Sequence, residues 1–253
     1  MTSFSIVTIN WNNLAGLRQT YRSLAGQTHR DFRWIVIDGA STDGSAEWLA
    51  ALADARAEIT SEPDRGIYDA MNKGLLQASQ TEGYTLFLNS GDTLCDASVL
   101  ARVAAAIEPA EVAPKYVYGD YYLKNAAGTL KSARAKGIEH LAIGMPSSHQ
   151  AMYFENRHLG GVHFREDYRL SADYCMIIEF VAGLPKSAVL QLPMPLCIFD
   201  TTGISQRRRL DALKEDLQIR RRFLKLSSRS AAALYLLHYL HTCTKLARTA
   251  LGR

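Results

Sequence analysis

Four aspartates carry most of the chemistry available to this sequence. Asp92 closes the stretch 84–93 (Tyr-Thr-Leu-Phe-Leu-Asn-Ser-Gly-Asp-Thr), where an apolar run gives way to Asn89, Ser90 and Gly91 and then to a carboxylate. Asp38 ends the run Phe-Arg-Trp-Ile-Val-Ile-Asp, Asp64 stands in the loop Glu-Pro-Asp-Arg-Gly, and Asp173 lies in Ser-Ala-Asp-Tyr. A carboxylate at the carboxyl end of a parallel strand sits where ligands bind, and it could hold a divalent metal or the metal complex of a diphosphate. Asp92 could equally cap the helix that begins near Asp96. Asp173 could equally be an acidic residue of a helix's first turn, favoured by the helix dipole by roughly 0.3–1 kcal/mol. Arg65 and Lys73 could meet phosphate oxygens, or simply face water on a helix.

The elements that must position these groups follow from the hydrophobic pattern. Phe4 to Ile9 and Phe32 to Asp38 are β-branched, apolar runs that predict buried strands, and Ala57 to Ser61 predicts a weaker third. Leu14, Leu17, Tyr21 and Leu24 recur at helical spacing, as do Ile67, Met71 and Leu75. Helices are also predicted over Ser45 to Ala53 and from about Asp96 to Ile107. Alternation of strand and helix at this spacing predicts βαβ units and a mostly parallel sheet flanked by helices. Three of the first four strands end in or just before an acidic residue, so several carboxylates should gather at one sheet edge. Beyond about Pro109 the pattern changes. A hairpin is predicted over 116–134 with its turn at 125–128, a strand over 147–154, and a helix from an N-cap at Ser171 to about Ala182. Two short strands are predicted at 188–191 and 196–200.

At 253 residues, 47% hydrophobic and 21% charged, the chain can fill one large core with an appendage. Its four cysteines are scattered, which argues against a zinc site or a disulfide framework and for a reducing compartment. The N-terminus has neither a basic segment nor a cleavage site of a signal peptide. Residues 205–253 hold 12 Lys/Arg against 3 Asp/Glu, whereas residues 1–204 hold 17 against 22. An acidic body therefore carries a basic tail.

Together, these stretches resemble a family 2 glycosyltransferase with the GT-A (Rossmann-like) fold, of the kind that builds bacterial cell-surface polysaccharides. The resemblance rests on Phe-Ser-Ile-Val-Thr-Ile-Asn-Trp-Asn from Phe4, Val-Ile-Asp-Gly-Ala-Ser-Thr-Asp-Gly-Ser from Val36, and Asp-Arg-Gly-Ile-Tyr-Asp-Ala-Met-Asn-Lys-Gly from Asp64. It continues in Leu-Asn-Ser-Gly-Asp from Leu88, Ser-His-Gln-Ala-Met-Tyr-Phe from Ser148 and Ser-Ala-Asp-Tyr from Ser171. The six landmarks occur in order over roughly residues 4 to 205.

The resemblance implies a catalytic domain over 1–204 and a basic, amphipathic helical extension over 205–253. It implies a nucleotide-diphosphate sugar as donor, a uridine diphosphate sugar first, bound across the sheet edge. Thr8, Asn10 and Asp38 would hold base and ribose, and Asp64 would lie beside nucleotide or metal. Asp92 would hold Mg²⁺ or Mn²⁺ against the diphosphate, flanked by Asn89, Ser90 and Gly91, where relatives place a further carboxylate. The ion would therefore bind mainly as a complex with the donor. Asp173 would be the general base of an inverting displacement by an acceptor hydroxyl on a glycan or lipid-linked molecule. His149 and Gln150 would line the acceptor or donor-sugar pocket, and Gly203 would hinge a loop over 201–205. Two rivals are a sugar nucleotidyltransferase and a silent membrane-bound scaffold of a polysaccharide assembly complex.

The tail's longest apolar run, 231–243, falls short of the ~20 residues that cross a bilayer. Its two triple-arginine runs beside apolar helical faces predict a membrane-surface anchor on the inner face of the cell membrane, or a helical hairpin packed on the body. Nucleic acid is not an expected partner.

Overall fold

Phe4, Ile6, Trp34 and Val36 alternate with Val7, Ile9, Ile35 and Ile37 along two neighbouring strands, and both sets are buried. Each strand thus feeds two cores, one on each face of a sheet, as the two-residue period of a strand requires. In the computed structural model, which describes residues 2–203 and 208–250 with side chains as far as Thr244, that sheet has nine strands. They are β1 (Phe4–Asn10), β2 (Phe32–Asp38), β3 (Ala57–Ser61), β4 (Tyr84–Phe87), β5 (Thr93–Leu94), β6 (Tyr116–Lys124), β7 (Leu130–Ala133), β8 (Met152–Glu155) and β9 (Val189–Asp200). The order is β3-β2-β1-β4-β8-β6-β9-β5, with β7 paired to β6. The first four strands run parallel; β8 turns the sheet antiparallel, and β9 returns parallel to β6.

One face is covered by α1 (Leu14–Ala25) and α4 (Val99–Ile107), with α2 (Ser45–Ala50) beside them. The other is covered by α3 (Ile67–Ala78) and α6 (Ala172–Val181), and α5 (Asn156–Leu159) is a single turn after β8. Gly74 lets α3 lie close on the sheet, since a Cβ there would stand 2.3 Å from Val7 Cγ1.

Two expectations are corrected. The segments 188–191 and 196–200 are parts of one twelve-residue strand, β9, whose Pro193 and Pro195 obscure it in the sequence. The ladder with β6 absorbs them through irregular register at Gly119–Asp120–Tyr121, and Gly119 admits the crossing because a Cβ there would meet Met194 O at 2.8 Å. The predicted strand over 147–154 is strand only from Met152; His149–Ala151 form a 3-10 turn. The two-residue β5 was not foreseen.

The basic tail is a helical hairpin of α7 (Arg209–Arg222) and α8 (Ser228–Ala250). Ile219 of α7 belongs to the same core cluster as α3 and α6, and Leu213 is buried. Of the arginine runs, Arg220 is 0% exposed and donates to Ala142 O and Ile143 O, Arg208 pairs with Asp211, and Arg222 pairs with Asp167. Those arginines tie α7 to itself and to the body, so they do not form a free cationic face. The rest of the expected 201–205 loop, Arg207, and the side chains of Lys245, Arg248 and Arg253 lie outside the described residues.

Candidate active site

The parallel strands β1 and β2 and the end of β4 deliver their carboxyl ends to one edge, and hydrogen bonds weld the three following loops together. Asp38, at the end of β2, is 0% exposed. A carboxylate has about four lone-pair sites, and four donors occupy them: Asn10 Nδ2 at 2.7 Å and Ser41 Oγ at 2.6 Å on Oδ1, Ser41 N at 3.0 Å and Ser61 Oγ at 2.7 Å on Oδ2. Burial alone would raise its carboxyl. The hydrogen bonds from Ser41, Asn10 and Ser61 outweigh that and hold it below the ordinary range. Asn10 in turn accepts from Ser90 Oγ at 2.7 Å, which links the β1 end to the loop after β4.

These contacts place three residues expected to hold base and ribose in bonds within the protein. Asp38 has no acceptor site left for a base N–H; it holds the 39–43 turn. Thr8 is buried in the core, donating to Leu88 O and accepting from Trp34 Nε1, both at 2.8 Å. Asn10 is a buried tie between loops. Arg65 pairs with Asp69 at 2.6 Å and Glu166 at 3.2 Å, and Lys73 with Glu62 at 2.7 Å.

What the edge does present is Trp11, 71% exposed directly after β1. Gly39 lies between it and Asp64: a Cβ at Gly39 would stand 2.5 Å from Asp64 Oδ2 and 3.3 Å from Trp11 Cδ1. Asp64 Oδ1 accepts from Gly66 N at 2.8 Å. An exposed indole beside a carboxylate and a bare backbone makes a slot for a flat, hydrogen-bonding ring. Sequence reasoning passed over Trp11 because a lone aromatic in a turn carries no periodicity; its place one residue beyond a strand's carboxyl end was the available signal.

Asp92 is 4% exposed. Gly91, at φ 102°, makes the turn that drops it inward, and Thr20 fixes that turn by accepting from Gly91 N at 3.0 Å and donating to Asp92 O at 2.8 Å. Asp92 Oδ2 accepts from Gln150 Nε2 at 2.7 Å and Oδ1 from Asp200 N at 2.8 Å. It does not cap α4. Burial pushes its carboxyl up to about 6 against those two hydrogen bonds, and the charge of Asp200 adds to the rise. Among the described residues no Lys or Arg pairs with it.

Each oxygen of this buried carboxylate keeps one lone pair, so the donor set fits a divalent cation. Among the described residues no three His, Cys, Asp or Glu side chains converge to hold an ion. A cation here would draw its remaining ligands from phosphate and water, as Mg²⁺ commonly does.

Asp173 stands in the first turn of α6, whose N-cap is Ser171 as expected. The Ser171 hydroxyl, however, donates to Ala212 O at 3.3 Å rather than capping. Asp173 Oδ2 lies 3.4 Å from His149 Nδ1, and Oδ1 accepts from Tyr68 OH at 3.4 Å and Tyr174 N at 2.9 Å. His149 Nε2 lies 3.3 Å from Asn89 Nδ2, on the side of the ring away from the carboxylate that Nδ1 faces. Burial, with the charge of Asp173 beside it, holds the Tyr68 hydroxyl well above its ordinary range, so it stays a donor. The 3-10 turn therefore joins the two acidic centres: Gln150 holds Asp92, and His149 faces Asp173. Asn89 and Ser90 sit in the same cluster of contacts.

Comparison with known proteins bears on the family and the fold. The family model described as "Glycosyl transferase family 2" matches residues 5–155. A PGL/p-HBAD biosynthesis glycosyltransferase of Mycobacterium bovis is 34% identical over 178 residues, 68% of this chain and 66% of that protein's length. An uncharacterized glycosyltransferase of Mycobacterium tuberculosis is 33% identical over 223 residues, 85% of this chain and 81% of its own. Among solved structures, residues 1–349 of S. aureus TarS in complex with UDP-GlcNAc superpose with a TM-score of 0.65 at 15% identity, covering 98% of this chain and 74% of that one. The mannosyltransferase PcManGT of Pyrobaculum calidifontis, in complex with GDP-Man and Mn²⁺, does so with a TM-score of 0.64 at 13% identity, covering 98% and 79%. At such identities the structural likeness speaks to the fold alone, which is the GT-A arrangement.

Proposed function

The chain belongs to glycosyl transferase family 2, and from that premise we propose that it moves a sugar from a nucleotide-diphosphate donor to a hydroxyl of a glycan or lipid-linked acceptor, with inversion. The observation that carries this reading is the turn His149–Ala151, through which one short segment contacts both Asp92 and Asp173. A transferase needs one carboxylate at the departing diphosphate and another at the attacking hydroxyl, held in fixed relation.

The nucleobase stacks on Trp11, with Asp64 and the backbone at Gly39 on its polar rim. A uridine diphosphate sugar is the first donor to test. Mg²⁺ or Mn²⁺, held by Asp92 together with the donor's phosphates, would neutralise charge on the leaving diphosphate. Asp173 takes the proton of the acceptor hydroxyl as its oxygen bonds the anomeric carbon, and the electron pair of the breaking C–O bond leaves with the diphosphate. His149 fixes the carboxylate's orientation through Nδ1, and Tyr68 does so from the other oxygen.

The acceptor reading draws support from α8. Leu236, Leu237 and Leu240 are 55%, 60% and 55% exposed and share one helical face. No helix among the described residues is long and apolar enough to cross a membrane. That face would lie on the inner surface of the cell membrane, where a lipid-linked acceptor of polysaccharide synthesis is presented.

A thermal-shift screen of nucleotide sugars with and without Mn²⁺ tests the donor half. The right donor at 100 times its dissociation constant stabilises by about 2.7 kcal/mol. No stabilisation by any nucleotide sugar would remove the reading.

A further inference from the structure

We infer that Glu215, on α7, is a positioning residue for Asp173. The inference rests on the proposed role of Asp173 as base. The Glu215 carboxylate accepts from three consecutive backbone N–H groups of the segment that leads into α6, ending at its N-cap: Arg169 at 3.0 Å on Oε1, and Leu170 at 2.8 Å and Ser171 at 2.9 Å on Oε2. The opening N–H groups of a helix have no partner within it. Usually a side chain just before the helix supplies one, but Ser171 makes no such bond here. Tyr174 N, inside the first turn, is met by Asp173 Oδ1, and Glu215, 44 to 46 positions further along the chain, holds the N-cap amide and the two amides before it.

The contact fixes two degrees of freedom at once. Two oxygens on three N–H groups set the direction from which the chain enters α6, and Asp173 is two residues beyond Ser171. The other wall of the same pair is held from α7 as well. Arg220 is fully buried and donates to Ala142 O and Ile143 O, five or six residues before Ser148. Its guanidinium lies 5.6 Å from the Tyr174 ring, next to Asp173. The tail helix therefore grips both segments whose meeting brings His149 to Asp173. Because the 3.4 Å contact is already long for a hydrogen bond, small displacements of α6 act directly on the base.

The test compares Glu215→Ala and Glu215→Gln with Ile219→Ala, a core truncation on the same helix, all assayed below their melting temperatures beside Asp173→Asn. Glu215→Ala should lower kcat roughly ten- to a hundredfold, the effect of about an ångström of misplacement, while donor KM holds. Glu215→Gln, with one carbonyl oxygen left to accept, should recover part of kcat, and it reads the effect alone should the alanine variant not fold. Amide exchange at 169–171 should quicken in the Glu215 variants and not in Ile219→Ala, which should keep kcat. Unchanged kcat in both Glu215 variants beside an inactive Asp173→Asn overturns the inference. So does an equal fall of kcat in Ile219→Ala. Full activity of Asp173→Asn would instead remove the base itself.

Discussion

Gln150 gives its side-chain amide to the buried carboxylate of Asp92 at 2.7 Å, and the residue before it puts a ring nitrogen 3.4 Å from Asp173. Two acidic groups 81 positions apart in sequence are thereby spanned by adjacent side chains of one turn. The segment Ser148–Ala151 is thus in contact with both carboxylates.

Asp173→Asn keeps size and most hydrogen bonds but cannot take a proton. Transfer should fall by roughly 10²–10⁴-fold, the usual worth of a general base, while donor binding measured calorimetrically is unchanged. His149→Ala should cost less, roughly 10- to 100-fold in kcat, because it frees the carboxylate without removing it. A His149→Ala protein with full kcat would show that the ring only fills space.

Asp92 predicts a pH-dependent stability in the metal-free, donor-free protein. Its carboxyl stands at about 6 in the fold against an ordinary 3.8. The folded value is the higher one, so the unfolded chain gives up this proton first. The fold is favoured most below pH 4 and loses that advantage as pH rises through 6. At pH 7 the ionised group costs on the order of 3 kcal/mol. Asp92→Asn, with the Gln150 amide turned to suit, should melt higher than the parent at pH 7.5 in chelator, and that difference should vanish near pH 4. Equal melting curves across this range would contradict the burial argument.

Trp11→Ala should raise donor KM with little change in melting temperature, since the indole is exposed. Stacking of a base on an aromatic ring is worth about 1–3 kcal/mol, which is roughly 5- to 150-fold in affinity. Binding of the free nucleoside diphosphate should weaken by the same factor.

Asp38→Asn should act oppositely, on stability first. It turns one acceptor into a donor inside a ring of four donors, leaving at least one buried group unpaired at about 1–3 kcal/mol. A urea titration should show the loss, and Ser61→Ala, which removes one of those donors at the edge of the ring, should show a smaller one.

The strands β1 and β2 were legible because they are continuous apolar runs, and the acidic endings marked the sheet edge. Their immediate polar neighbours were not legible in the same way. Nothing in Thr8 or Asn10 says whether a hydroxyl or amide reaches a ligand or, as here, Trp34 and Asp38. That choice is made by which strand lies alongside. The pairing of Lys73 with Glu62 and of Arg65 with Asp69 and Glu166 is equally hidden, because it depends on which loops lie alongside α3. β9 was hidden by Pro193 and Pro195, whose effect depends on a bulge in the partner strand. Glu215 left no local trace at all, because the helix it serves begins some forty residues earlier.

The bond from Asp200 N to Asp92 spans 108 positions, and that interval is also a time. At about 5–20 residues per second, roughly 5–20 s separate the emergence of the two ends from the ribosome. The nucleotide-facing edge can assemble early, around β1, β2 and β4. Asp92 stays open on one side until β9 arrives, and the segment leading into α6 lacks its Glu215 contacts until α7 follows. On the proposed reading, the part of the site that would hold the nucleotide is complete first, and the part that would hold the general base is completed last, in two successive steps.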